Sequence, residues 1–240
     1  MPRNTPGRQI RLYQSGIHSC AYLEERSART LFVDPDITPD MALYSALIDQ
    51  GYRRSGSLIY RPECPGCQGC VSLRVPVQAF SPRRSQRRVW QRNMDRFLVR
   101  EEAVGENPAH FALFQKYIGA RHRDGSMANT SEAEYRQFIA SDWSDTRGFA
   151  FYDKDRLVAV AISDILPQGL SAVYTFFDPS CQKSSPGVFT ILWQIEECRR
   201  RGLPWLYLGY WIESCQKMAY KREYLPHQAF IGNRWIWTDK

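Results

Sequence analysis

The chain has 240 residues, 43% of them hydrophobic and 24% charged, with a net charge of +7. That allows one large or two small domains around an ordinary globular core. No apolar run approaches the roughly 20 residues of a membrane helix, and no apolar stretch follows Arg3 and Arg8, so no membrane span or signal peptide is expected and the chain reads as cytosolic.

Met1 to Gln9 is polar, carries two prolines and reads as a loose terminus. Short apolar pieces follow at Ile10–Tyr13 and Thr30–Val33. Thr38-Pro39 opens a helix with the stripe Met41, Leu43, Tyr44, Leu47 and Ile48, closed by Gly51. Strands are expected at Ser57–Tyr60 and Val71–Val77, on either side of a cysteine loop. Ser81-Pro82 opens a second helix, with Arg84, Arg88, Arg92 and Arg96 as an outer ridge opposite Trp90, Met94, Phe97 and Leu98; Arg87 falls nearer the apolar side. Gly105-Glu-Asn-Pro108 marks a boundary between residues 1–105 and 106–240. Beyond it come helices at Ala109–Arg121 and Glu132–Ala140 and strands at Gly148–Tyr152, Arg156–Leu166 and Leu170–Phe177. A helix from Gly187 to Arg201, a strand at Leu203–Gly209, a short helix at Ser214–Arg222 and a hairpin at His227–Thr238 complete the chain. The order predicts an α+β fold: an N-terminal cysteine-bearing domain packed on a C-terminal N-acetyltransferase-like (GNAT) domain.

Three features carry chemistry. Cys64-Pro-Gly-Cys67-Gln-Gly-Cys70 has two x-x spacings in series, and Cys20 would complete a tetrahedral set for zinc or an iron–sulfur cluster. The alternative is a tight turn of reduced thiols. Cys181, Cys198 and Cys215 read as ordinary buried residues. The six arginines between Ser81 and Arg96, against the single acid Asp95, suit phosphate tracking; Arg83, Arg84, Arg87, Arg88 and Arg92 are the candidate tRNA contacts. The alternative is a solvated basic face.

The third feature lies where central strands end. Tyr174 and Asp178 follow one strand; Tyr207 and Tyr210 sit on another; Lys217, Tyr220 and Lys221 come soon after. Aromatic walls with a carboxylate and ammonium groups suit acyl transfer. A coenzyme A donor is disfavoured, because the turn at Gln182–Gly187 has one glycine and Pro186 lacks an N–H donor.

The stretches His18-Ser-Cys20-Ala-Tyr22-Leu23, Gly51-Tyr-Arg53-Arg54-Ser-Gly56, Tyr60-Arg-Pro62-Glu-Cys64-Pro-Gly-Cys67-Gln-Gly-Cys70 and Arg83-Arg84-Ser-Gln86-Arg87-Arg88 share one resemblance, and so do Tyr174-Thr-Phe-Phe-Asp178-Pro179, Gly187-Val-Phe, Tyr207-Leu-Gly209-Tyr210 and Lys217-Met-Ala-Tyr220-Lys221. The chain resembles the arginyl/leucyl-tRNA–protein transferases, most closely their bacterial aspartate/glutamate branch. The eukaryotic arginyl branch has a further cysteine where Leu23 stands. The resemblance implies leucyl-tRNA as donor, with arginyl-tRNA as the alternative. It implies proteins with N-terminal Asp or Glu as acceptors, marked in this way for N-degron degradation. No cofactor is expected for the transfer itself, and a monomer with no DNA or membrane partner is expected. In the mechanism so implied, the acceptor amine attacks the ester. Asp178 would orient or deprotonate it, Tyr174 or Tyr220 would donate to the developing oxyanion, and Arg54, Lys217 or Lys221 would pair with the acceptor carboxylate. Two other readings remain: an acyl-CoA N-acetyltransferase and a non-catalytic, metal-dependent RNA-binding protein.

Overall fold

The computed structural model describes residues 9–121 and 127–238; the expected loose terminus lies almost wholly outside them. In chain order the strands of the first part are β1 (Leu12–Gln14), β2 (His18–Ser19), β3 (Ser27–Ala28) and β4 (Thr30–Val33). Helix α1 (Met41–Asp49) leads to β5 (Arg53–Ser55), β6 (Leu58–Pro62) and β7 (Val71–Pro76), and helix α2 (Arg84–Asn93) to β8 (Phe97–Glu102). Helices α3 (Pro108–Arg121) and α4 (Glu132–Ile139) precede β9 (Thr146–Asp153), β10 (Arg156–Leu166) and β11 (Gly169–Phe177). A 3₁₀ turn (Pro179–Ser184), α5 (Pro186–Arg200), β12 (Trp205–Trp211), α6 (Gln216–Ala219), a second 3₁₀ turn (Tyr220–Glu223), β13 (His227–Ile231) and β14 (Arg234–Thr238) follow.

Three sheets result. One is four-stranded in the order β1-β4-β6-β5, one is the small β2–β3 pair, and the largest runs β14-β13-β7-β12-β11-β10-β9-β8. In the largest sheet only β11 and β12 run parallel. Strand β10 shows why it is central. Val158 to Ile162 is an unbroken apolar run, fully buried, as expected of a strand covered on both faces. Val160 and Ile162 meet Leu113, Phe114, Tyr135 and Ile139 of α3 and α4. Ala159 and Ala161 face the other way, toward Phe189 of α5. Beside them, α5 lays Ile191, Leu192, Ile195 and Cys198 over Leu73, Val75, Leu206 and Leu208.

Three expectations change here. Strand β7 sits between β13 and β12, and β8 forms the far edge beside β9. The boundary at 105/106 therefore does not divide this sheet, which takes strands from both sides of it. Helix α2 stops at Asn93, and Phe97 and Leu98 lie in β8 rather than on the helix; Arg96 leaves the ridge to bond Asp153 at 3.0 Å. The inner face of α2 is Gln86, Trp90 and Asn93, while Arg87 is exposed. The cap of α1 is Asp40, whose carboxylate accepts from Leu43 N at 2.7 Å, and not Thr38.

A buried ion pair ties the four-stranded sheet to the largest one. The Arg54 guanidinium on β5 donates twice to Asp164 on β10, both at 2.6 Å, with neither side chain exposed. Its remaining donors reach Gly56 O, Ile139 O and Thr146 Oγ1. Asp164 also accepts from Tyr44 and Thr146, and burial beside that carboxylate pushes the Tyr44 phenol well up. The turn after β5 is equally close-fitting: Gly56 has φ +56°, and a Cβ there would lie 2.2 Å from Gln137 O. Removing one member of such a pair strands the other charge in the core. Arg54→Met is expected to cost about 3–5 kcal/mol in urea unfolding. The double variant Arg54→Met/Asp164→Leu should lose less than the two single changes summed; additive losses would show that the two are not coupled.

Candidate active site where the sheet splits

Strands β11 and β12 pair over only three positions, ending at Ser171–Tyr207. Beyond this point both strands are irregular. Against β10 the register of β11 slips, so that Ile162 faces Tyr174 and Ser163 faces Ala172. Against β7 the register of β12 slips between Tyr207 and Gly209. Extra residues bend strands, and here the two bends open a gap in the ladder at one level.

Two cations bond to carbonyls of the separating strands. Arg53 donates to Ser171 Oγ at 3.0 Å and to Ala172 O on β11. Lys221 Nζ donates to Tyr210 O on β12 at 2.8 Å. Gly209 is required beside them: its φ is +77°, and a Cβ there would come within 3.2 Å of Arg53 Cζ. Burial, with the Arg53 charge close by, brings the Lys221 ammonium down to about 7.

Four phenols cluster by the gap. Tyr174 is held above its ordinary range by burial and then by Tyr117, Tyr22 and Tyr220. Burial likewise pushes Tyr220 and Tyr22 up to about 12. All of them therefore stay O–H donors at neutral pH. The cysteine loop adjoins this cluster. Burial raises the Cys70 thiol to about 12, and Cys64, Cys20, Cys67 and Cys215 add to the rise. The thiols are thus neighbours, and all seven cysteines are free. Among the described residues, however, no three His, Cys, Asp or Glu side chains converge as a metal centre. Donor chemistry suited to zinc or a cluster is present without closed coordination geometry.

The structure separates the expected site residues. Tyr174, Tyr220 and Lys221 come together at the gap. Lys217 is exposed on α6. Arg54 is consumed by Asp164, so it offers no cation to a substrate. Tyr207 bonds Asp49 at 2.7 Å and Tyr210 bonds Gly51 O at 3.0 Å; both are buried struts rather than substrate contacts. Asp178 is no base either. It caps the first 3₁₀ turn and accepts from Lys116, Arg156 and Ser180. Those bonds outweigh its burial and hold its carboxyl far below the usual range.

Arg83, Arg84, Arg87, Arg88 and Arg92 are all exposed on and just before α2. Arg83 pairs with Glu223, Arg87 bonds Pro82 O and Arg92 bonds Lys183 O. Asn93 bonds Ser184 O as well, so α2 is fastened to the turn before α5. The sequence reading missed Arg53, Tyr22, Tyr117 and Cys215. Arg53 and Tyr22 stood inside motifs already singled out, but spacing alone does not say which of two adjacent arginines enters a gap.

Comparison with known proteins places the whole chain. Residues 18–88 match the family model for the N terminus of arginine-tRNA-protein transferase, and residues 109–231 match that for its C terminus. An aspartate/glutamate leucyltransferase of Teredinibacter turnerae is 45% identical over 96% of this chain and 95% of its own length. That of Alcanivorax borkumensis is 46% identical over 94% and 93%. Among solved structures, FemX aligns with TM-score 0.47 at 10% identity over 84% of this chain and 79% of its own, and the L-PGS of Bacillus licheniformis with 0.45 at 14% over 71% and 49%. With both family models matched in order and relatives sharing nearly half of all positions end to end, this chain belongs to the arginine-tRNA-protein transferase family.

Proposed function

We propose that this protein moves leucine from leucyl-tRNA to the N-terminal amine of proteins beginning with Asp or Glu. The observation that carries this is end-to-end likeness to aspartate/glutamate leucyltransferases. Arginyl-tRNA is the second donor to test, because the family models carry that name. The split between β11 and β12, flanked by the antiparallel run β9-β10-β11 and by α5, supports an acetyltransferase-like arrangement in which the acyl group enters the gap. The reading carries with it the cytosol, where charged tRNA is made, and a monomer as the working unit. No described helix is long and apolar enough to cross a membrane.

In the step itself the amine nitrogen attacks the ester carbonyl carbon. The carbon–oxygen bond to the ribose breaks, the amide forms, and the amine proton leaves with the ribose hydroxyl. An α-amine titrates at about 7.7–8.0, so a neutral fraction is present without a strong base. This suits a site whose Asp178 is already engaged. In this reading the neutral phenols of Tyr174 and Tyr220 donate to the oxyanion. Arg84 and Arg88 are exposed and form no ion pair among the described residues; with Arg83, Arg87 and Arg92 they form the surface for the tRNA backbone. Cys20, Cys64, Cys67 and Cys70 are the proposed thiolate set for zinc or an iron–sulfur cluster, which would have to draw them closer together; no step of the reaction runs through it.

Purified protein is expected to label peptides starting with Asp or Glu, and not Ala, from leucyl-tRNA. Label from arginyl-tRNA alone would overturn the leucine assignment, and label from neither would overturn the activity. In the same assay Tyr174→Phe and Tyr220→Phe should each lower kcat by about 100–1,000-fold. Arg84→Ala with Arg88→Ala should instead raise KM for the charged tRNA and flatten its salt dependence by roughly two phosphate contacts; unchanged constants would remove these residues from their roles. Anaerobically prepared protein should carry zinc or iron in elemental analysis and lose it on Cys67→Ser; metal-free wild-type protein that transfers at full rate would dismiss the cluster.

A further inference from the structure

Arg53 and Lys221 are cations withdrawn from solvent without a counter-ion. Arg53 is 7% exposed and Lys221 is half-buried with its ammonium turned inward onto Tyr210 O. Every partner recorded for them is neutral: a hydroxyl and two backbone carbonyls. Among the described residues no carboxylate pairs with either. Compare Arg54, one residue on, which meets Asp164 in full. A desolvated charge without a partner is costly, and an anion entering beside it recovers that cost. Both groups keep N–H donors beyond those already engaged.

Resting on the transfer reading above, we propose that Arg53 and Lys221 together form the subsite that takes the side-chain carboxylate of the acceptor's N-terminal Asp or Glu. The location fits the chemistry on both sides. The aminoacyl donor brings an apolar side chain and a free α-amine to the reaction centre, and neither is drawn to two cations. The acceptor brings one anion, a few bonds from its attacking amine. Arg53 comes from β5 and Lys221 from the second 3₁₀ turn, and they bond to opposite strands of the gap, so one carboxylate between them would link the groups that hold β11 and β12. The same pair explains discrimination. Asn and Gln match Asp and Glu in shape, but they leave both cations uncompensated.

Lys221 supplies a readout that a structural strut would not. Arg53 is the charged group facing it, and the neighbouring phenols of Tyr220 and Tyr224 stay protonated. Because its amine is partly neutral near pH 7, a bound carboxylate should draw a proton onto it.

The test is calorimetry of the full chain with peptides beginning Asp or Asn, in buffers of differing ionisation enthalpy and without RNA. The wild-type protein should bind the Asp peptide at least roughly tenfold more tightly and take up protons that the Asn peptide does not. Lys221→Gln keeps a hydrogen bond to Tyr210 O while removing the charge. It should cost the Asp peptide about tenfold, abolish the extra proton uptake, and leave the Asn peptide and leucyl-tRNA affinities unchanged. Equal losses for both peptides, weakened RNA binding, or a wild type with no preference for Asp would each overturn the proposal. The wild-type preference and proton uptake decide the matter even if the variant does not fold. Intact Asp preference with no leucine transfer would instead fail the activity reading while leaving the subsite standing.

Discussion

Two adjacent arginines on the short strand β5 grip one rung of the large sheet. Asp164 and Ser171 are cross-strand partners on β10 and β11; Arg54 takes the first and Arg53 the second. Pairing of β11 with β12 ends at that rung, and one rung further on the register of β11 against β10 slips. The four-stranded sheet, α1 through Tyr44, and the end of α4 through Ile139 O all converge on it. Position of the gap and attachment of the N-terminal sheet are therefore a single constraint. A slip of β5 would unpair a buried charge and unplug the split at once.

The charge inventory then sorts itself by environment. Many cations of this basic chain find acids: Arg96 with Asp153, Arg200 and Arg201 with Glu197, Lys116 and Arg156 with Asp178. Such pairs order surface turns and contribute little else where exposed. Arg74 goes further, lying between the rings of Trp205 and Trp235 at 4.0 and 4.3 Å while bonding Asp49, which fastens the C-terminal hairpin to the sheet. Among the described residues several cations have no acid partner. Arg84 and Arg88 of this group stand in solvent, while Arg53 and Lys221 bond neutral groups at the gap.

Much of the fold was legible because its periodicities were strong. The bounds expected for β10 match, and α3, α4, α5 and the final hairpin lie within a residue or two of expectation. The failure at α2 has a physical cause. Phe97 and Leu98 continue a helical spacing from Trp90 and Met94, and only the edge of β9, a long-range partner, makes 97–102 a strand. The site was legible by region and not by role. Asp178 sits in a motif beside Tyr174, yet its carboxylate is claimed by Lys116 and Arg156, from 62 and 22 residues away in sequence. No local pattern announces such partners. Likewise Arg54 and Arg53 are indistinguishable by type; only tertiary contact assigns one to the core and the other to the gap.

The two proposed anion-binding surfaces differ in what water does to them. The α2 arginines act across solvent, where about 8–10 Å of salt screening weakens each contact and lets a long polyanion slide into register. The pair at the gap acts without that screening, on a single carboxylate that must shed its hydration to enter. The first arrangement gathers the donor by net charge and tolerates any sequence. The second gains little from long-range attraction and discriminates by leaving buried charge unpaired when the acceptor is wrong. An enzyme that must accept one class of tRNA yet refuse most protein N termini needs both, and places the exacting one where the sheet is already open.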